Sequence, residues 1–325
     1  MHPFLKRLAS ATLLSMVALA AGPASAADYP ARPVTIIVPF PPGSISDLSI
    51  RLIAAKMTQD LGQTVVVENK GGAGGIVGTT IVAHAKPDGY TLLLGTNSTN
   101  AINPSLYKTL PYNAQKDFKP ITMTGVIPAI IVARKTLPAN NAKELIALAK
   151  SKPGMLRIAV GSTTSRVASE ALQIDAGIKM ITVPYRGEPP GLTDLLGGQV
   201  DLMSLNLPTA LPQLKQGNIK PIGFVGANRI SLLPDVPRIG ETVKSYTIPT
   251  GWNAIFAPAG TSDAIVKKLN EVIVAALKDP DVKTKLEATG GYIVTPTTPQ
   301  ELGKWVEQDT KTWAHLIKET GIPLL

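Results

Sequence analysis

Short β-branched runs alternate with amphipathic helical stretches along most of this chain, and that alternation directs it to an α/β fold with mostly parallel sheets. Val34-Thr35-Ile36-Ile37-Val38 is stopped by Pro39, Pro41-Pro42-Gly43-Ser44 makes a turn, and a helix is expected from about Asp47. Its apolar residues Ile50, Ile53, Ala54, Met57 and Leu61 recur at helical spacing and set one face against a sheet. The pattern returns in a strand over 65–67, a glycine-rich loop, a helix over 74–85 and a strand at 92–94. It returns again where 157–160 runs into Gly161-Ser162-Thr163-Thr164-Ser165 and a helix carrying Val167, Ala168, Ala171 and Leu172 on one side. Strands at 181–183 and 201–205 flank a helical 192–196, and periodic helices are expected over 265–276 and 300–319. Two apolar segments punctuated by Pro or Gly, 126–133 and 253–257, are the candidates for carrying the chain between two lobes.

The N-terminus reads differently. Lys6 and Arg7 precede an apolar run over 11–21, and Ala24-Ser25-Ala26 supplies small residues for cleavage before Ala27. Residues 1–26 therefore read as a secretory signal peptide, too short in its apolar core to span a bilayer. The remaining chain divides on this reading into a first lobe over 27–127, a second over 128–250, and a return to the first over 251–325.

The chain has no cysteine, which removes disulfides, thiolate zinc sites and cysteine nucleophiles. Its formal charge is +9, of which Lys6 and Arg7 supply two. The basic residues are scattered singly and aromatic residues make up only 5%, so a stacking groove for nucleic acid is not indicated. A general basic bias that concentrates small anions fits better.

Several chemistries fail on spacing. In Gly71-Gly72-Ala73-Gly74-Gly75-Ile76-Val77-Gly78, a dinucleotide fingerprint begun at Gly72 would need glycine at Val77, and no Gly-Lys-Ser/Thr follows. A tight loop with close backbone approach explains these glycines without a ligand. Beyond the leader the histidines are His84 and His315, both in expected helices, and no Gly-x-Ser-x-Gly turn occurs. Neither a catalytic base with its partners nor a metal shell is recognisable, so no enzyme, cofactor or metal is expected.

What remains is a pair of loops at strand C-terminal ends, where open α/β sheets bind ligands. Residues 41–47 and 161–166 share one construction: a strand, then small and hydroxyl-bearing residues, then a helix start. Free N–H groups at a helix N-terminus hold a carboxylate without a formal positive charge. The plainer function of Ser46, Asp47 and Ser165 is to cap their own helices, and for Asp47 capping is favoured because its charge would repel an anion.

Arg32-Pro33-Val34 leading into Val38-Pro39-Phe40-Pro41-Pro42-Gly43, with Asp47 beyond, resembles the start of the Bug family. These are extracytoplasmic solute receptors of tripartite tricarboxylate transporters. The likeness continues in Val66-Val67-Glu68-Asn69, Gly72-Ala73-Gly74-Gly75, Pro87-Asp88-Gly89-Tyr90-Thr91-Leu92, Val183-Pro184-Tyr185-Arg186-Gly187 and Ala257-Pro258-Ala259-Gly260-Thr261, in order along the chain. The resemblance implies a periplasmic-binding-protein-like Venus flytrap, with two α/β lobes and a hinged cleft. It also implies a monomeric protein that captures a small carboxylate and passes it to membrane permease subunits. A receptor presenting the ligand to a membrane histidine kinase would use the same fold.

Carried over residue by residue, the resemblance places Ser44, Ile45 and Ser46 at the ligand from the first loop, and Asn97 and Ser98 after the third strand. From the second lobe it adds Gly161, Ser162, Thr163, Ser165, Tyr185 and Asn206. Two departures stand out. Ser44 replaces the second glycine of a customary pair, and Arg166 stands where family members commonly have histidine. Arg166 brings a permanent charge and planar donors suited to a carboxylate, so it joins the expected site. Its ordinary alternative is a stem along the surface with its head in water.

Overall fold

The computed structural model describes residues 29–325; the expected signal peptide, residues 1–26, lies outside the described residues. Two sheets organise the chain. The first runs in the order β11 (Ile293–Val294), β4 (Phe118–Ile127), β10 (Gly251–Pro258), β3 (Thr91–Thr96), β1 (Val34–Val38), β2 (Val65–Asn69), and the second in the order β7 (Ile181–Pro184), β6 (Arg157–Val160), β8 (Leu202–Asn206), β5 (Ala129–Arg134), β9 (Ile219–Phe224).

In the first lobe, β1 (Val34–Val38) leads into α1 (Ile45–Leu61), then β2 (Val65–Asn69), α2 (Ile76–Ala83) and β3 (Thr91–Thr96). β1 pairs in parallel with both β2 and β3. A wide helical turn over Ser98–Ile102 runs into the one-turn helix Asn103–Leu106, and β4 (Phe118–Ile127) crosses the sheet. The second lobe opens with β5 (Ala129–Arg134) and α3 (Ala142–Ser151), followed by β6 (Arg157–Val160), α4 (Thr163–Ala176) and β7 (Ile181–Pro184). α5 (Glu188–Leu196), β8 (Leu202–Asn206), α6 (Leu207–Lys215) and β9 (Ile219–Phe224) complete it. β10 (Gly251–Pro258) lies in the first sheet, and α7 (Asp263–Lys278), α8 (Pro280–Ala288), β11 (Ile293–Val294) and α9 (Pro299–Thr320) follow.

The sheets are mixed, where the sequence pattern pointed to mostly parallel pairing. β10 runs antiparallel to β3 and β4, and β5 antiparallel to β8 and β9. The antiparallel members are the long strands at the junction of the lobes, and they arrive there by direct crossing and not through a helical crossover. The segment 253–257, read from sequence as a crossing, sits inside β10, whose eight residues are all buried. A strand covered on both faces has no alternation to betray it.

β4 passes the chain almost directly to β5. Ile127 pairs with Gly251 in the first sheet, and just past Pro128, Ala129 pairs with Asn206 in the second. The cleft lies across this junction. Behind it, the apolar faces of α7 and α1 close one side of the first sheet through Val266, Leu269, Ile273, Ile50 and Ile53. α9 closes the other through Leu302, Val306 and Trp313, in one apolar cluster with Val167 and Ala168 of α4. Among the described residues no helix is long and apolar enough to cross a membrane.

Candidate functional site

Each lobe offers the cleft the start of a helix. α1 begins at Ile45 with Ser44 as its cap, two residues before the expected start, and the Ser44 hydroxyl accepts from the Asp47 N–H at 3.3 Å. The N–H groups of Ile45 and Ser46 then have no acceptor among the described residues, as the first turn of a helix provides none. Asp47 is turned into its own lobe. Its carboxylate accepts from the Gly43 N–H at 2.9 Å, Asn69 Nδ2 at 3.0 Å and Arg51 Nε at 2.9 Å, which fixes the loop and holds the charge away from the cleft.

In the second lobe Ser162 caps α4, its hydroxyl accepting from the Ser165 N–H at 3.1 Å. The Ser165 hydroxyl accepts in return from the N–H groups of Gly161 and Ser162 at 3.1 and 3.0 Å. Gly161 is required by close approach: a Cβ there would stand 2.6 Å from the carbonyl carbon of Gly187. The glycine-rich loop shows the same kind of need, since a Cβ on Gly75 would meet the Thr99 methyl at 2.6 Å, at a φ of +90°.

The two lobes touch across the cleft. Asn97 Nδ2 donates to Thr164 Oγ1 at 2.9 Å, and the Ser98 and Thr164 hydroxyls lie 2.8 Å apart. The cavity they close is lined from the first lobe by Ser44, Ile45, Ser46, Asn97 and Ser98. Gly161, Ser162 and Asn206 line it from the second. These expected residues are brought together.

The structure puts the other four elsewhere. Ser165 spends its hydroxyl on its own loop, and successive residues of a helix point about 100° apart, so Thr164 and not Thr163 reaches the cavity. The Tyr185 hydroxyl donates to Asp194 at 2.7 Å, and burial together with that carboxylate pushes its pKa up to about 12. Arg166 pairs with Glu170 one turn along α4, at 3.5 Å, and does not line the cavity.

Residues that the sequence reading missed complete the walls. Ile127, Ala129, Gly251 and Trp252 come from the strand junction, which no local motif marks. Asn253 also lines the cavity; it is 2% exposed, and its Nδ2 has no hydrogen-bond partner among the described residues. The indole of Trp252 is held from behind: its Nε1 donates to Asp309 Oδ2 at 2.7 Å, and Trp313 Nε1 donates to the same oxygen at 3.1 Å.

Among the described residues one ionisable side chain lines the cavity, and it is an acid. Glu188, at the first position of α5, is 6% exposed. Its carboxylate accepts from the Asn206 N–H at 2.8 Å and from the Thr209 hydroxyl at 2.6 Å. Burial pushes its pKa up from the ordinary carboxylate value, and those two donors draw it back. Everything else facing the cavity is neutral: hydroxyls, amides, backbone and apolar walls. His84 caps the end of α2 and His315 lies exposed on α9, so neither faces the cavity. Such a lining offers neutral donors and helix N-termini, groups whose chemistry suits an anion of modest size.

Over residues 49–322 the chain matches the family described as tripartite tricarboxylate transporter family receptor. It is 36% identical to protein BugT of Bordetella pertussis over 307 residues, 94% of this chain and 94% of that one. Among solved structures, the periplasmic binding protein BugD is 37% identical with a TM-score of 0.86, covering 91% of this chain and 100% of that chain. An R. palustris protein solved with adipate is 33% identical at a TM-score of 0.87, over 92% of this chain and 100% of that chain. MatC from Rhodopseudomonas palustris with bound malate is 33% identical at 0.84, over 89% of this chain and 100% of that chain. The fold is that of the periplasmic binding proteins, two α/β lobes around a cleft, as the sequence implied.

Proposed function

This chain belongs to the tripartite tricarboxylate transporter receptor family, and from that membership we propose that it captures a small carboxylate in the cleft and delivers it to the membrane subunits of such a transporter. The observation that carries the reading is the cavity itself. It lies between two helix N-termini, α1 and α4, and is walled by neutral donors from both lobes, so an anion is bound without a basic side chain. The adipate and malate bound by two relatives support a carboxylate as the ligand class. On this reading the protein works in the periplasm as a monomer after removal of residues 1–26. Residues 27–127 and 251–325 form one lobe, and 128–250 the other.

The ligand leaves as it arrived. Among the described residues no histidine or lysine lines the cavity with the serine hydroxyls, and no cofactor or nucleic acid enters the scheme. Ser44, Ile45, Ser46, Asn97, Ser98, Gly161, Ser162 and Asn206 carry the contacts, joined by Thr164 and Asn253. Thermal-shift screening of a carboxylic acid panel tests the reading. An acid present at 100 times its dissociation constant stabilises the fold by roughly 2.7 kcal/mol, a readily measured rise in Tm. A panel of aliphatic, dicarboxylic and aromatic acids that leaves the Tm unmoved would overturn it.

A further inference from the structure

Glu188 is an unexpected occupant of an anion-binding cavity. It is buried and faces the cavity, and among the described residues no cation lines the walls to balance it. Its surroundings explain how it is tolerated. The Asn206 N–H and the Thr209 hydroxyl that it engages belong to the cap and first turn of α6, a nine-residue helix, so its carboxylate lies beside the positive end of that helix. It is also held close to the second loop, because the Gly187–Glu188 backbone packs against Gly161 with no room for a side chain there. Across the cleft, a Cβ on Gly187 would overlap Pro41 of the first lobe. The segment that carries Glu188 is therefore clamped where the lobes meet.

Two consequences follow for a ligand. Beside the start of α6 a second ligand carboxylate would meet a carboxylate of the protein. Among the described residues each Glu188 oxygen also has one donor, while an ionised carboxylate has about four acceptor sites in all. We propose that Glu188 sets the specificity of the cleft, selecting a monocarboxylate whose far end carries an amino group or other N–H donor and rejecting the dicarboxylate of equal length. This inference rests on the carboxylate reading above and sharpens it to one class of acid.

Calorimetric titration of wild type with three matched pairs tests it: β-alanine and succinate, 4-aminobutyrate and glutarate, 5-aminovalerate and adipate. Within each pair the chain length is constant and only the far group changes from ammonium to carboxylate. In the pair that binds tightest, the amino acid is expected to win by about tenfold or more, since like charges brought together in a desolvated site repel strongly. Glu188→Gln, which keeps an acceptor and removes the charge, is expected to narrow that ratio to within about threefold or reverse it. The wild-type comparison stands even if the variant does not fold. A dicarboxylate that binds wild type as tightly as its amino partner, or a folded variant with an unchanged ratio, overturns the role of Glu188 and leaves the carboxylate reading intact. Binding of none of the six overturns the role of Glu188, and the carboxylate reading is then decided separately by the full thermal-shift panel.

Discussion

Asn97 of the first lobe donates its side-chain amide to the hydroxyl of Thr164 in the second, 2.9 Å away, so one short bond ties the lip of one lobe to the first turn of the other's helix. Ser98 Oγ lies 2.8 Å from the same hydroxyl and accepts from the Thr164 N–H at 3.3 Å. A hydroxyl has one proton and two acceptor sites, so either Ser98 or Thr164 can donate in this contact while Thr164 accepts from Asn97.

Thr164→Val keeps the shape and removes both side-chain bonds across the cleft. If each is made only when the lobes meet, affinity is expected to fall by about 1–3 kcal/mol, or roughly 5- to 150-fold. Small-angle scattering should show ligand reducing the radius of gyration of wild type, with the variant needing correspondingly more ligand for the same change. Unaltered affinity in Thr164→Val would mean that the contact plays no part in closure.

Ser162 has two functions that substitution separates. Its hydroxyl caps α4 in a reciprocal arrangement with Ser165, and its side chain also faces the cavity. Ser162→Ala is expected to lower stability by about 0.5–2 kcal/mol through loss of the cap. Ser162→Val should lose the same cap and in addition obstruct ligand entry. Equal ligand affinity in the two variants would show that the side chain does not face the ligand.

Arg166 is expected to matter little to affinity. It pairs with Glu170 along its own helix and is absent from the cavity wall, so Arg166→Ala should change ligand affinity by less than about threefold. A loss of tenfold or more by calorimetry would return it to the ligand.

Glu188 also leaves a signature in stability. Its pKa in the folded protein is raised above the ordinary 4.5, with burial as the largest cause. Between 4.5 and that raised value the folded state binds more protons than the unfolded one, so stability falls as pH rises through the window and the loss is complete above it. Melting curves of wild type and Glu188→Gln from pH 4 to pH 8 should therefore diverge, the variant gaining relative to wild type as pH rises. The buried Asp309, also raised, is common to both and cancels. Parallel curves would contradict the burial of an ionisable group here.

The repeating strand, loop and helix made the two lobes legible from sequence, because each half-buried helix declared its face by the spacing of residues such as Ile50, Ile53 and Met57. The two loops were legible as hydroxyl-rich helix starts, but not their caps: capping read from sequence onto Ser46, Asp47 and Ser165 falls to Ser44 and Ser162, with Ser165 as the reciprocal partner of Ser162, because the helices begin earlier than the apolar spacing shows. What stayed hidden depends on distance along the chain. Trp252 and Asn253 reach the cavity through pairing of β10 with β3 and β4, which no neighbouring residue encodes. Glu188 reads as an ordinary first-turn acid of α5, and only the approach of Asn206 and Thr209 turns it into a buried wall of the cleft. Thr163 and Thr164 cannot be told apart by composition, since helix rotation alone decides which one faces inward.

Calorimetric titration of the purified protein with the acid that raises its Tm most, with the ligand recovered afterwards for mass spectrometry, tests the central claim that this cleft holds a carboxylate by neutral donors. The expected result is one acid bound per chain and recovered unchanged, with the uncharged primary amide of that acid binding at least about tenfold more weakly because it forfeits charge-assisted hydrogen bonds. Equal affinity for acid and amide, or a chemically altered ligand, would contradict it.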